Sequence, residues 1–129
     1  MSAQISIELI NGPIGPAERD THPEAGAWLT FDGVVRPQEE GRPLAALVYE
    51  AYEPMTTREL TRLAERIAEE HELLRIRVEH SLGRVAVGET SFRLTIASKH
   101  RAEGIAATDA FIREMKRYVP LWKNAEWAG

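Results

Sequence analysis

Thr56-Thr57-Arg58-Glu59-Leu60-Thr61-Arg62-Leu63-Ala64-Glu65-Arg66-Ile67-Ala68-Glu69-Glu70, followed shortly by Arg75-Ile76-Arg77-Val78-Glu79-His80, decides the fold class, because the apolar period changes there from helical to alternating. Leu60, Leu63, Ala64, Ile67 and Ala68 form one stripe for a core, while Arg58, Arg62, Glu65, Arg66, Glu69 and Glu70 face largely outward. Thr56-Thr57-Arg58-Glu59 fits a capping box, in which the Thr hydroxyl and the Glu carboxylate each satisfy an unpaired backbone N–H at the helix start. Ile76, Val78 and His80 then alternate with charge, as a strand with one buried face requires.

Working outward, Ile5 to Ile10 alternates as a short strand stopped by Asn11-Gly12-Pro13, and Gly12 to Gly26 is a Pro-, Gly- and charge-rich loop. Trp28 to Val35 and Leu44 to Tyr52 are strand-like, and the polar link Arg36 to Pro43 makes them a plausible hairpin with a mobile tip. Downstream, Leu82-Gly83 and Gly88-Glu89 bracket a short strand, Arg84 to Val87, ahead of the alternating Phe92, Leu94 and Ile96. A second helix is predicted over Arg101 to Tyr118, where Ile105, Thr108, Ile112, Met115 and Val119 recur at three- and four-residue intervals until Pro120 ends it. Strands, helix, strands, helix is the order of an α+β domain with a largely antiparallel sheet and two main helices.

The 129 residues form one domain of ordinary size, and 43% hydrophobic with 28% charged residues is ordinary for a soluble globular protein. No run approaches the roughly 18 apolar residues of a membrane span, and Met1 to Ile10 lacks the pattern of a secretory signal, so a cytoplasmic protein is expected. The net charge of −4 argues against a general nucleic-acid binder, so any basic site is local. Without cysteine there is no disulfide, thiolate metal site or cysteine nucleophile; sulfur chemistry at this chain needs sulfur carried by another molecule.

Ser98-Lys99-His100-Arg101 stands where a strand gives way to a helix, so backbone N–H groups and the positive end of the helix dipole add to the His100 and Arg101 side chains. That combination suits a phosphate or carboxylate, although a His at a helix start often only caps or packs. Lys116 near the end of the same helix and Lys123 beyond Pro120 are ordinary partners of a helix C-terminus. Trp122 and Trp127, flanking Lys123, are expected to exclude water and ease deprotonation of its ammonium. Arg36 ends a strand at a loop mouth, where a guanidinium can clamp an oxyanion or simply meet solvent. His22, His71, His80 and His100 have no metal-ligand spacing, and no phosphate-cradling Gly-rich loop or nucleophile elbow occurs, so neither a bound metal nor a resident cofactor is expected.

Phe31-Asp32-Gly33-Val34-Val35-Arg36, Tyr49-Glu50-Ala51-Tyr52-Glu53-Pro54-Met55, His80 with Gly83, Val87-Gly88-Glu89, Ser98 with His100-Arg101, and Lys116 with Val119-Pro120-Leu121-Trp122-Lys123 together resemble the large, catalytic subunits of molybdopterin synthases. The resemblance runs from about Gly26 to Lys123, with residues 1–25 as a variable strand and loop and 124–129 as a short tail. It implies an α/β-hammerhead fold and a homodimer within a heterotetramer, with a small ubiquitin-like sulfur-carrier subunit at each end. It also implies sulfur transfer from the carrier's C-terminal Gly-Gly thiocarboxylate to cyclic pyranopterin monophosphate, forming molybdopterin for molybdenum cofactor biosynthesis. On that basis Val34, Val35, Arg36, His100 and Arg101 bind substrate, and Lys116 and Lys123 are catalytic.

Two stretches depart from the family pattern. Asn124-Ala125-Glu126-Trp127 follows the Trp-Lys pair where another basic residue and Glu are usual, and the Ile10 to Gly26 loop stands where relatives often have a helix. If Arg101 to Lys116 is one helix, its ends lie about 22 Å apart at 1.5 Å per residue, too far to touch one small pterin. His100 and Arg101 of one protomer with Lys116 and Lys123 of the other is then the simple solution. The competing readings are a noncatalytic binding module for a phosphorylated ligand or a partner's C-terminal tail, and a structural dimerisation domain.

Overall fold

A computed structural model describes residues 3–129. In chain order its elements are β1 (Gln4–Asn11), β2 (Ala27–Val34), β3 (Gln38–Glu39), β4 (Arg42–Ala51), α1 (Met55–Glu70), β5 (Arg75–Ala86), β6 (Thr90–Ser98), α2 (Arg101–Tyr118) and β7 (Leu121–Trp127). The architecture is α+β, with an antiparallel sheet apart from the parallel β1–β5 pair. No helix among the described residues is long and apolar enough to cross a membrane.

β5 organises the sheet. Its first part, Arg75 to Leu82, lies beside β1, and Arg75 to His80 pairs on the other side with β6, which carries β2 outside it. Its second part, Gly83 to Ala86, pairs instead with Tyr49 to Ala46 of β4, and β4 carries β7 on its far side. The change of partner falls at Gly83, whose φ of +79° is accessible to glycine with little steric cost. The predicted break at Leu82-Gly83 is therefore a bend within one strand, because pairing to β4 resumes at the glycine.

Both helices cover one face of the first part of the sheet, α1 over β1 and β5, α2 over β2 and β6. Leu60, Leu63, Ala64, Ile67 and Ala68 are all buried, as their spacing predicts, and meet Ile76, Val78, Leu94, Ile96 and Phe111 in the main core. Each fully buried Leu, Ile or Phe contributes about 1.5–3 kcal/mol of transfer free energy. A second cluster, Val35, Leu44, Leu47 and Val85, packs where β4 crosses β5.

Several expectations change on folding. The Trp28–Val35 and Leu44–Tyr52 strands are not hairpin partners: β2 pairs with β6, and the link between them contributes β3, which folds back on β4. Residues after Lys123, expected to be a tail, continue β7 through Trp127, because the free edge of β4 offers backbone partners. α2 spans the predicted residues but buries Gly104, Ala107, Phe111 and Met115, leaving Ile105 55% exposed. A tight approach to the sheet at Gly104 fits this rotation: a Cβ there would stand 2.6 Å from Leu29 Cδ1 and 2.7 Å from Ser98 Oγ. Side-chain volume beneath the helix then increases toward Phe111 and Met115.

The capping box does not form, because α1 begins two residues earlier than that box requires, at Met55, with Pro54 rather than Thr56 as its N-cap. Glu53 takes over the capping role, accepting from the Thr57 N–H at 2.9 Å and the Thr57 hydroxyl at 2.6 Å. Thr56, fully buried, becomes a clamp: its hydroxyl accepts from the Tyr52 N–H at 2.9 Å and donates to the Pro120 carbonyl at 2.6 Å. One side chain thus ties the end of β4 and the start of α1 to the turn between α2 and β7. Thr56→Val keeps the shape but strands these groups, and is expected to lower the unfolding free energy by about 1–3 kcal/mol in urea denaturation. Unchanged stability would contradict the clamp.

Candidate functional site

Three separate pieces of backbone bring side chains to one cleft of about 640 Å³. The first is the end of β2. There the Val35 N–H donates to Glu89 and the Val35 carbonyl accepts from Gly88, which fixes the strand end against the β5–β6 turn. Val35 is buried in the second apolar cluster, Val34 is 51% exposed, and Arg36 follows on the surface. All three line the cleft.

The second piece is the turn from α2 into β7. Buried Met115 anchors the last turn of α2, and exposed Lys116 follows it. Pro120 cannot continue the helix, and its carbonyl is held by Thr56. The chain therefore reverses, and pairing with β4 places Lys123 opposite Tyr49. Lys116 and Lys123 line the same cleft as Arg36.

β3 supplies the third piece. Glu39 Oε1 accepts from Lys123 Nζ at 2.9 Å. This hydrogen bond, supported by the charges of Lys123 and Arg36, holds the Glu39 carboxyl below its ordinary value despite an opposing desolvation effect. Lys123 is thus ion-paired and 53% exposed, rather than enclosed by indoles as its neighbours predict. Trp122 lies on the cleft, whereas Trp127 packs against Arg42, whose guanidinium stands 4.1 Å from its ring centre.

Aromatic and small polar groups complete the lining. Phe31 and Phe92 contribute tilted rings 6.1 Å apart. The Tyr49 hydroxyl donates to Ser91 Oγ at 3.1 Å, and that hydroxyl in turn reaches the Gly33 carbonyl at 3.4 Å. His80 presents its ring beside Tyr49 and Phe92. Around the cleft Arg36, Lys116 and Lys123 face only the Glu39 carboxylate, a cationic excess within a chain of net charge −4. Phosphate oxygens match the cations, and a flat ring matches the apolar walls.

His100 and Arg101 are not in this cleft. They stand at the opposite end of α2, where the Ser98 hydroxyl donates to the His100 carbonyl at 2.7 Å and pins the helix entry. Lys116 and Arg101 lie on one unbroken helix, so their backbones are separated by about 22 Å along its axis. Glu126, at the departure from the family pattern, also points elsewhere: it pairs with Arg84 at 2.7 Å across β4. Sequence reasoning assigned no role to Glu39, Tyr49, His80 or Ser91. Glu39 lies in a polar link that reads as solvent-facing, and His80 shares the alternation of a core strand.

The sequence model of the MoaE protein family matches residues 9–118. The molybdopterin synthase catalytic subunit of Arabidopsis thaliana is 44% identical over 102 residues, which cover 79% of this chain and 52% of that protein. The protein of the same name from Coccidioides immitis is 36% identical over 129 residues, covering 98% of this chain and 66% of that one. The chain therefore spans about half to two thirds of the length of these curated relatives. A crystal structure of molybdopterin synthase from Staphylococcus aureus superposes with a TM-score of 0.84 at 27% identity, covering 93% of this chain and 90% of that chain.

The Glu39–Lys123 pair has a definite pH signature. A depressed carboxyl contributes stability that is present above its unfolded value and is lost as pH falls through the folded one. The side-chain carboxyl of Glu39, followed by carbon-detected NMR, is expected to titrate below 4.5, and Lys123→Ala is expected to move it upward. An unmoved midpoint in that variant would remove Lys123 as the cause.

Proposed function

The chain belongs to the MoaE protein family, and from that premise we propose that it is the catalytic large subunit of a molybdopterin synthase. In this reading it is a sulfurtransferase of molybdenum cofactor biosynthesis, working in the cytoplasm. A small ubiquitin-like carrier delivers sulfur as the thiocarboxylate of its C-terminal Gly-Gly tail, and the acceptor is cyclic pyranopterin monophosphate. Two copies of this chain form the centre of a heterotetramer, with one carrier at each end.

The observation that carries the reading is the convergence of Arg36, Lys116 and Lys123 on one aromatic-walled cleft. Positive groups placed in advance around a partly desolvated cleft stabilise negative charge that develops during reaction, without reorganising at that moment. Arg36, with Val34 and Val35 beside it, takes the substrate-binding role. One lysine polarises the thiocarboxylate or holds its tail; the other assists proton transfer as sulfur attacks and the cyclic phosphate opens. The absence of cysteine fits sulfur arriving on a second protein.

His100 and Arg101 complete a neighbouring site in this reading. They belong to the cleft of the second protomer and meet the anionic part of the substrate there, a reading supported by their separation from Lys116 along α2. Mixing His100→Ala with Lys116→Ala proteins is expected to restore activity through hybrid dimers that contain one intact site. No rescue after verified subunit exchange would count against sharing.

The direct test combines the protein with a thiocarboxylated carrier and cyclic pyranopterin monophosphate and follows molybdopterin by mass spectrometry. Lys116→Ala and Lys123→Ala are expected to fold normally and to lose about 10²–10⁴-fold in sulfur transfer, the range for a removed acid–base group. Wild-type turnover in both variants would defeat the assignment.

A further inference from the structure

His80 is a core residue by exposure, at 6%, yet it lines the cleft. Its Nδ1 lies 2.8 Å from the Ser81 carbonyl. A carbonyl oxygen can only accept, so Nδ1 carries the proton and Nε2 of the neutral ring keeps a lone pair. Burial holds the imidazole below its ordinary value of 6.5, outweighing the opposite pull of the Ser81 carbonyl, so this neutral form persists at neutral pH.

Nε2 has no hydrogen-bond partner among the described residues, where the one buried side-chain polar atom lacking a partner is Ser81 Oγ. Nε2 is therefore not sealed within the core, and the open space that His80 lines is this cleft. The ring cannot readily swing away: Tyr49 packs edge-on at 5.1 Å between centroids and Phe92 lies at 5.9 Å on a tilt. Nor can the nearby hydroxyl of Tyr49 quench it, since that proton is given to Ser91. One ring nitrogen is thus held and the other is open.

We infer that His80 Nε2 orients the substrate by accepting a hydrogen bond from an N–H group on the edge of its heterocycle. A neutral lone pair repels phosphate oxygens, which are drawn instead to Arg36, Lys116 and Lys123. The cleft thereby offers two chemically distinct kinds of contact, cations for an anion and a neutral acceptor for a donor edge, with Phe31 and Phe92 among the apolar walls. A pterin bearing a phosphate presents both features on one rigid molecule. This inference rests on the function proposed above and adds a specificity-determining residue to it.

The test measures KM and kcat for cyclic pyranopterin monophosphate with the carrier-bound complex carrying His80→Phe, His80→Gln or His80→Asn. Phe keeps the ring but has no acceptor, Gln can place an amide oxygen near the Nε2 position, and Asn is one bond shorter. His80→Phe and His80→Asn are expected to raise KM about tenfold, which is about 1.4 kcal/mol, with kcat little changed. His80→Gln is expected to remain within about threefold of wild type, as a retained hydrogen bond requires.

Equal KM values in wild type, Phe and Asn variants would overturn the inference, as would equal losses in Gln and Phe. If circular dichroism shows that His80→Phe does not fold, the Gln–Asn pair decides on the same criteria. Turnover that is indifferent to His80 removes this inference alone. Absence of turnover in the wild-type complex removes the proposed reaction, and this inference with it.

Discussion

A strand shared between two sets of partners is the constraint on which the structure depends. Over Arg75 to His80, β5 is paired on both sides, and beyond Gly83 it turns to β4. Backbone N–H and C=O groups left unpaired in an interior are costly, so register along β5 commits the positions of β1, β6 and β4 together. Once β4 is set, its far edge can receive β7, and the α2–β7 turn must return to it. Thr56 holds that return through Pro120. The cleft is the space left where these commitments meet, which is why its lining comes from β2, β3, β4, β5, β6, α2 and β7.

The electrostatics of the cleft run against those of the whole chain. A net charge of −4 gives no general attraction for anions, but three cations and one carboxylate on a concave, partly apolar surface create a local one. Glu39 offsets one of those cations in the free chain. Ion pairs with a largely solvated partner contribute only about 0–1 kcal/mol, so the Glu39–Lys123 pair can orient the ammonium and still yield to a better-placed anion. His80 is of the opposite kind: neutral, buried and fixed in tautomer, it distinguishes donors from acceptors rather than signs of charge.

Local physics made much of this legible from sequence. The apolar stripe of α1, the Pro120 stop of α2 and the alternation around Ile76 and Leu94 each depend on neighbours a few residues away. Pairing was less accessible, since β2 meets β6 across some sixty residues of chain and the short Trp28–Tyr52 segment offers a more local hairpin. β7 was invisible because Lys123-Asn124-Ala125-Glu126 has little strand character until the edge of β4 is beside it. At the site, the cations Arg36, Lys116 and Lys123 were singled out by motif, and the structure gathers them. Glu39 carried no such signal, and His80, part of the motif set with Gly83, carried no role, because an acid in a polar link and a histidine in a strand acquire meaning only from what the fold places opposite them.

The central claim is that this cleft receives a phosphorylated heterocycle with its anion on the lysine and arginine side chains. A crystal structure of the protein with cyclic pyranopterin monophosphate bound tests it most directly. The account predicts phosphate oxygens within hydrogen-bonding distance of Arg36, Lys116 or Lys123, and the ring system against Phe31 and Phe92. Ligand bound on another face of the protein, or lying in the cleft with its phosphate turned away from all three cations, would contradict it.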